Sequence, residues 1–384
     1  MTEQRAGVEK NTVCATGRAT RDASFELLRC VAMCMIIVVH YLSKGNVLVN
    51  LPTSAAGGMN GAAIGAWIVE AICLPAVNVY IMISGYFGAK SSFKVSKLAR
   101  LWGTVIFYSV AITLVLGLSG NLANAQGSVD MASFTIYDWM NVIFPVVTEQ
   151  YWFITAYVML YLFMPFLSAG VEKLDQKSFR NVLIVLFGIF SLSKSVLPMD
   201  LPTDGKGYDV LWLICLYLLG GYFGRFGCRI LEKRMWATVC CLGSAMAMFA
   251  MAFVARAVYL RTGILGDFVL RNSFYNCNQI FCLTSAVGLF WMFKGLPIRS
   301  GRLSAFICKV SGCTMAVYLI HEQLYMRYAW PRWFGVQEQA GKWTFLPHLL
   351  LTVACVFVVC VLIEMVRKAV TKTFVGLIKK RTKE

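Results

Sequence analysis

The stretch FELLRCVAMCMIIVVH, residues 25–40, decides the fold, because it is apolar enough to enter a lipid bilayer. Within this stretch Arg29 and His40 lie eleven positions apart. On an α-helix this spacing places both side chains on one face, about 16 Å apart along the axis. Ionisable groups at membrane depth are costly, and by default they mark a pathway or a reaction centre. The stretch therefore predicts a membrane helix that carries two functional side chains.

The composition extends this prediction to the whole chain. Hydrophobic residues make up 58% of the 384 residues and charged residues only 14%, unlike an average soluble protein. Apolar runs long enough to cross a bilayer occur at ten places: 25–43, 62–87, 99–119, 151–169, 181–198, 210–227, 235–256, 272–293, 309–328 and 345–366. The sequence thus predicts an all-α, polytopic protein of the cell membrane with about ten transmembrane helices.

The positive charges give the orientation of these helices. Most of the 36 Lys and Arg residues fall in the tail before the first helix, in the even-numbered connections and in the tail after the last helix. Cytoplasmic loops carry such an excess, so both termini are predicted to be cytoplasmic. The same clustering suits anionic lipid headgroups and argues against nucleic acid as a partner. We expect a disordered tail over 1–22, a membrane domain over 23–368 and a basic tail over 369–384.

Cysteine and histidine usage does not indicate a metal site or a disulfide framework. The 14 cysteines form no Cys-x-x-Cys pair, and most lie within apolar runs, where they read as small packing residues. The chain has only three histidines. We therefore expect no bound metal.

Three ionisable residues are the main functional candidates. Arg29 lies near the predicted inner end of helix 1, where it could instead be an anchor paired with Glu26. His40 lies three turns further out and could act as a general base or simply bond a neighbouring helix. Glu70, in helix 2, could orient His40, pair with a lysine, or make a packing contact. Each residue thus has a catalytic and a structural interpretation.

Two polar groups stand at the predicted outer side. His321 and Glu322 lie near the outer end of helix 9, where a structural interfacial role is an alternative to a functional one. The start of helix 8 is unusually polar for a helix that faces lipid. This character indicates a water-accessible cavity, with Asn272, Asn276, Asn278 and Gln279 as its markers.

Several motifs in order resemble the integral membrane acyltransferase-3 family. The clearest is Arg29 followed by His40 within 25–40. A second is the run SGYF at 84–87, followed by Lys90, which is similar to the family's Ser-Gly-aromatic turn and basic residue. Weaker matches are YWFI at 151–154, GGYFG at 220–224 and YLIH at 318–321. The resemblance covers most of residues 24–366.

This resemblance implies an enzyme that moves an acyl group from cytoplasmic acyl-CoA, usually acetyl-CoA, to a hydroxyl of a glycan or lipid-linked sugar outside. Some relatives carry a fused extracytoplasmic domain that completes the transfer. None is predicted here, so this chain acylates its acceptor directly or a separate protein does so. No permanently bound cofactor is expected. No serine or cysteine has a context that marks a nucleophile, so no covalent acyl-enzyme is expected either.

The roles follow from the resemblance and from the chemistry of the residues. His40 is the predicted general base, with Arg29 and Glu70 as further catalytic residues. Arg29 also belongs to the predicted acyl-CoA site, where it could bind a phosphate or polarise the thioester. The other predicted acyl-CoA residues are Ser84, Gly85, Tyr86, Lys90 and Arg100, whereas Lys94 and Lys97 read as ordinary positive-inside residues. The acceptor side is assigned to Tyr151, Trp152, Asn276, Gln279 and His321.

Two other classes of protein remain as alternatives. A transporter or flippase of lipid-linked sugars would also have many helices and charges within the membrane, although the two halves show no obvious repeat. A structural or sensory membrane protein would explain the helices but not the pairing of Arg29 with His40. The sequence defines neither the acceptor nor the oligomeric state.

Overall fold

The computed structural model describes residues 13–16, 19–51, 59–88, 93–197 and 205–381. It begins with an antiparallel hairpin of β1 (Val13–Thr16) and β2 (Ala19–Asp22), in which Val13 pairs with Asp22. In this hairpin the two strands satisfy each other's backbone amides and carbonyls. The disordered tail over 1–22 and the other domain bounds expected from the sequence stay predictions. Residues 1–12 and 17–18 lie outside the described part.

Helices form almost all of the remaining described chain. The first half contains α1 (Ala23–Lys44), α2 (Gly61–Cys73), α3 (Ala76–Gly88), α4 (Val95–Leu118), α5 (Ile136–Ile143), α6 (Trp152–Lys173), α7 (Gln176–Phe187) and α8 (Ser193–Val196). The second half contains α9 (Val210–Phe226), α10 (Arg229–Glu232), α11 (Arg234–Thr262), α12 (Gly266–Leu270), α13 (Ile280–Phe293), α14 (Gly301–Ser311), α15 (Thr314–His321), α16 (Met326–Trp333) and α17 (Phe345–Arg381). A π-helical turn, Gly188–Leu192, joins α7 to α8, and 3-10 turns lie at Met131–Ser133 and Val336–Gln339.

Within the described residues, eight helical segments are long and apolar enough to cross a membrane. They are Ala23–Lys44, Gly61–Gly88, Val95–Leu118, Trp152–Lys173, Gln176–Val196, Arg234–Thr262, Gly301–His321 and Phe345–Thr373. The two shorter apolar helices, α9 and α13, occupy the predicted sixth and eighth spans. The all-α, polytopic membrane fold is thus confirmed. The count of ten and the cytoplasmic termini stay predictions.

The predicted eighth span, 272–293, begins too early. Helix α13 starts only at Ile280, and the preceding residues from 271 form turns. Gln279 is the N-cap: its Oε1 accepts the amides of Phe281 at 2.6 Å and Cys282 at 3.1 Å. A side-chain acceptor at this position satisfies amides that have no partner inside the helix. The polar run is therefore a capped turn and not the outer half of a helix.

The lipid-facing surface is recognisable from exposed apolar side chains. Val115 on α4, Phe166 on α6, Val254 on α11 and Leu351 on α17 are all exposed. Large apolar patches of this kind are unusual on soluble proteins but normal against hydrocarbon. The outer helices therefore present a surface suited to lipid.

Helix α1 lies at the centre of the bundle and packs against α2, α3, α14, α15 and α17. It begins where the Asp22 carboxylate accepts the Ser24 amide at 2.9 Å, which gives the helix a side-chain cap. The remaining face of α1 lines a cavity, which is described below. The helix that carries Arg29 and His40 is thus held on several sides.

Glycines bring α3 and α9 into backbone contact. A Cβ at Gly85 would overlap the carbonyl of Tyr217, and a Cβ at Gly220 would overlap the carbonyl of Met82. Helices in lipid associate through close van der Waals packing, for which small residues at the interface are suited. This contact fixes α3, which presents Tyr80 and Ser84 to the cavity.

Candidate functional site

Arg29 and His40 line one cavity of about 530 Å³ in the middle of the bundle. Its walls come from α1, α3, α6, α14 and α15, together with Arg21 of β2 and Lys97 of α4. Apolar side chains, among them Met33 and Ile36, separate the two polar ends. We call this space the inner cavity. The two residues singled out by their spacing therefore do share a passage.

Glu26 organises the end of the inner cavity at which Arg29 lies. Its Oε1 forms an ion pair with Arg29, and its Oε2 lies 3.6 Å from a guanidinium nitrogen of Arg21. The Ser311 hydroxyl donates to the same Oε2 at 2.5 Å. This confirms the predicted contact of Arg29 with Glu26, although Arg29 also lines the cavity. Arg29 keeps donors available because one carboxylate oxygen cannot satisfy its whole guanidinium.

A second space of about 370 Å³ adjoins this end. It shares Arg29, Ser84 and Lys97 with the inner cavity, and Leu98 and Leu101 of α4 add an apolar wall. Two cations beside an apolar surface form an arrangement that suits an anionic, partly apolar ligand.

His40 also lines a cavity on the other side, of about 470 Å³, which we call the outer cavity. The two cavities share Ile36, His40, Val77 and Trp152. The outer cavity combines apolar walls with polar groups, namely Lys44, Glu70, Tyr208, Asn272, Glu322 and Arg327. A ligand in either cavity would therefore meet the same imidazole.

The neighbouring Cys277 thiol and burial raise the pKa of Tyr208 well above its usual value. Tyr208 lies before α9, at the outer cavity. Its hydroxyl consequently stays protonated and can donate a hydrogen bond there.

The His40 ring is held by residues at the end of α15. His40 Nδ1 lies 2.9 Å from His321 Nε2 and 3.2 Å from Glu322 Oε2. Arg327 faces the other oxygen of Glu322 at 3.4 Å and donates to the carbonyl of Gln150 at 2.7 Å. The Glu322 carboxylate is buried, and a buried charge needs a partner. The adjacent guanidinium of Arg327 compensates this charge.

A backbone carbonyl sets the tautomers of both rings when they are neutral. His321 Nδ1 lies 2.6 Å from the carbonyl oxygen of Val317, which can only accept, so this nitrogen carries the proton. His321 Nε2 then has a free lone pair and accepts from His40 Nδ1. His40 Nε2 is left unprotonated, which is the form that a general base requires.

Glu70, predicted as an orienting partner of His40, lies in the outer cavity but is not bonded to that ring. His40 Nδ1 bonds to His321, and among the described residues Glu70 Oε2 is buried with no hydrogen-bond partner. Glu70 is only 6% exposed. Its position on α2 directs the carboxyl toward the outer cavity, where a ligand could bind it.

Some of the predicted acyl-CoA residues line a cavity, whereas others pack between helices. Ser84 lines both inner spaces, whereas Gly85 sits against Tyr217 within α3. The Gly85 amide lies within α3, and Gly85 does not line either inner space. Tyr86 packs on Phe25 with ring centroids 5.0 Å apart, away from the cavities.

The basic residues near the inner cavity also differ from expectation. Arg100 and Lys97, one turn earlier on α4, are both exposed, but of the two it is Lys97 that lines the inner cavity. Residues three apart on a helix lie only about 60° from each other around the axis, so helical position alone does not separate these two side chains. Lys90 lies outside the described residues.

The predicted acceptor residues are also spread. Trp152 lines both cavities, and His321 contacts His40, as described above. Tyr151 is fully buried, and its hydroxyl donates to the Leu319 carbonyl at 2.9 Å, so it packs against α15 and stabilises that helix. Asn276 bonds within its own turn, to the carbonyl of Ser273, and Gln279 caps α13. Tyr151, Asn276 and Gln279 therefore do not line the inner or the outer cavity.

Sequence reasoning missed three cavity residues. They are Glu322 and Arg327 at the outer cavity and Lys97 at the inner cavity. The run HE at 321–322, followed by Arg327, is the signal that could have been read. An acidic residue and a cation five positions apart at the end of an apolar run predict a compensated pair.

These observations define a multi-pass membrane protein with polar cavities on both sides of one imidazole. A family model described as an acyltransferase domain matches residues 22–365, nearly the whole chain. The chain therefore belongs to the acyltransferase-3 family and is a membrane acyltransferase. Searches of curated proteins and of solved structures gave no significant match.

Proposed function

We propose that this protein transfers an acetyl or other short acyl group from cytoplasmic acyl-CoA to a hydroxyl of an extracytoplasmic glycan or lipid-linked saccharide. His40 is the general base. The single observation that carries the proposal is the position of His40, which lines both the inner and the outer cavity. A donor on one side and an acceptor on the other can then meet at one catalytic group.

The inner cavity suits the donor. Coenzyme A is polyanionic, and Arg29, Arg21 and Lys97 line the inner cavity as cations. The apolar stretch between Arg29 and His40 fits a pantetheine arm, which brings the thioester toward the imidazole. Arginine and lysine at this mouth would bind phosphate through charge-assisted hydrogen bonds.

The outer cavity suits a saccharide. Trp67, Trp152 and Tyr275 line it with aromatic surface, and Glu70 and Asn272 add hydrogen-bonding groups. Small-molecule sites commonly combine aromatic walls with a few polar groups that fix orientation. The acceptor hydroxyl would approach His40 from this side.

The transfer needs one base and one acid. The acceptor hydroxyl gives its proton to His40 Nε2 while its oxygen attacks the thioester carbonyl carbon. The resulting imidazolium lies 3.2 Å from Glu322 through Nδ1, so the carboxylate stabilises it. When the carbon–sulfur bond breaks, the imidazolium returns the proton to the leaving thiolate. The products are the ester and free CoA, and the enzyme is unchanged.

The test is a transfer assay in membranes that contain the protein and labelled acetyl-CoA. Label is then located in the glycan, lipid and protein fractions. We expect label in a glycan or lipid-linked saccharide, and labelling about 10²–10⁴-fold slower with His40→Ala. Label that stays on protein would contradict direct transfer. A lack of label in every fraction would favour a transporter of lipid-linked sugars instead.

A further inference from the structure

A third cavity, of about 920 Å³, lies beside the outer cavity. Its walls come from the end of α1, the loop at 124–125, α16 and the turn Val336–Gln339. We call it the outer groove. Its lining is mostly polar and includes Asn46, Asn124 and Gln337. This volume lies in the upper part of the range found for small-ligand sites.

The outer groove is continuous with the proposed acceptor site. Ser43 and Lys44, at the end of α1, line both the outer groove and the outer cavity. They follow His40 by one turn on the same helix. A molecule with one end at His40 could therefore extend past Lys44 into the groove.

Positive charge is available at this junction. The Lys44 ammonium lies 5.7 Å from the ring centroid of Tyr328, and no carboxylate of the described residues lies within ion-pair distance of it. Arg332 donates to the carbonyl of Asn124 at 2.9 Å and likewise has no carboxylate partner in the described chain. Glu338 is the acidic residue among the described groove residues. The groove is thus suited to an anion beside neutral hydrogen-bonding groups.

We propose that the outer groove is a second acceptor subsite, which binds the part of an anionic saccharide next to the acylated unit. Lys44 and Arg332 contact its phosphate or carboxylate. The amide side chains of Asn46, Asn124 and Gln337 bind neighbouring hydroxyls. This inference rests on the proposed function and adds that the acceptor is longer than one sugar and negatively charged.

The experiment uses the glycan fraction that takes up label in wild-type membranes. One portion is left intact, one is cleaved to single sugars, one is dephosphorylated, and one has its carboxyl groups reduced. Each portion is offered again with labelled acetyl-CoA. We expect the intact portion to have the lowest KM. Cleavage should raise KM about tenfold or more, and so should one of the two neutralising treatments, which identifies phosphate or carboxylate as the anion.

Variants separate the groove from the outer cavity. Arg332→Gln changes a residue of the groove alone, and Lys44→Gln changes the junction. Both should raise the KM for the intact acceptor about tenfold, with kcat little changed. The KM for the cleaved acceptor should stay unchanged in Arg332→Gln. In Lys44→Gln it should rise less than the KM for the intact acceptor. Lys342→Gln is the matched control, since Lys342 does not belong to the described groove lining, and its KM should equal that of wild type.

The two levels of the proposal fail in different ways. Equal KM values for all four portions, or an unchanged KM in Arg332→Gln, would overturn the second subsite while acyl transfer stands. If no portion takes up label in wild-type membranes, the proposed function itself fails.

Discussion

The inner and outer cavities meet at His40 but are built from different kinds of charge. The inner cavity has cations at its mouth, Arg21, Arg29 and Lys97, of which Glu26 pairs with the first two. The outer cavity has a buried carboxylate, Glu322, paired with Arg327 and held against the His40 ring. The inner side is thus suited to hold an anion, whereas the outer side is suited to orient a ring.

This difference explains why the two sides should respond differently to mutation. Charges at a mouth act on binding, so their loss should appear mainly in the KM for the donor. Groups that fix the tautomer of a base act on the chemical step, so their loss should appear in kcat. The predictions below test this division, beginning with the residue that both cavities share.

His40→Ala should have the largest effect, a loss of about 10²–10⁴-fold in kcat, because the general base is removed. The measurement is the initial rate of label transfer in membranes with equal amounts of folded protein. His348→Gln is the control, since His348 bonds Tyr41 at 2.7 Å and does not line these cavities in the described chain. A His40→Ala rate equal to wild type would refute the catalytic role.

His321→Leu should lower kcat by about ten- to a hundredfold, because His40 Nδ1 loses the nearer of the two acceptors that hold its ring. His321→Gln should recover much of the rate, since a side-chain amide can donate to Val317 and accept from His40. The KM for acetyl-CoA should stay unchanged in both variants. Equal rates in the Leu and Gln variants would mean that His321 serves packing only.

Arg29→Gln should raise the KM for acetyl-CoA by about tenfold, because a charge-assisted contact is worth about 1.5–3 kcal/mol. Lys97→Gln should raise it less, about three- to tenfold. Arg100→Gln provides the matched control, since Arg100 lies on the same helix as Lys97 but lines neither the inner cavity nor the adjoining space. An effect of Arg100 equal to that of Lys97 would show that overall charge, and not the cavity, attracts the donor.

Gly85→Ala should reduce stability by about 1–3 kcal/mol, since its Cβ has no room against Tyr217. Gly103→Ala on α4 meets nothing within 4 Å and should not be destabilising. Thermal unfolding in detergent measures both. We expect only small changes in the two KM values of folded Gly85→Ala, since Gly85 belongs to no cavity wall.

The sequence predicts the membrane fold well because hydrocarbon imposes a strict length and polarity on each span. It also predicts that Arg29 and His40 share a cavity, since helical periodicity fixes which residues face together. It could not predict the contact of His40 with His321, because residues 281 positions apart are brought together only by packing of α1 on α15. Periodicity on α4 was equally insufficient to choose Lys97 over Arg100, since the inward face depends on the neighbouring helices.

The direct backbone contact of α3 with α9 has a mechanical consequence. Where no side chain lies between two helices, no rotamer change can let them slide, so this pair should behave as one rigid body. Tyr80 and Ser84 then form an immobile wall of the inner cavity. Any widening that admits a bulky donor must occur across from it, where α4 presents the longer and more adaptable side chains Leu98 and Leu101.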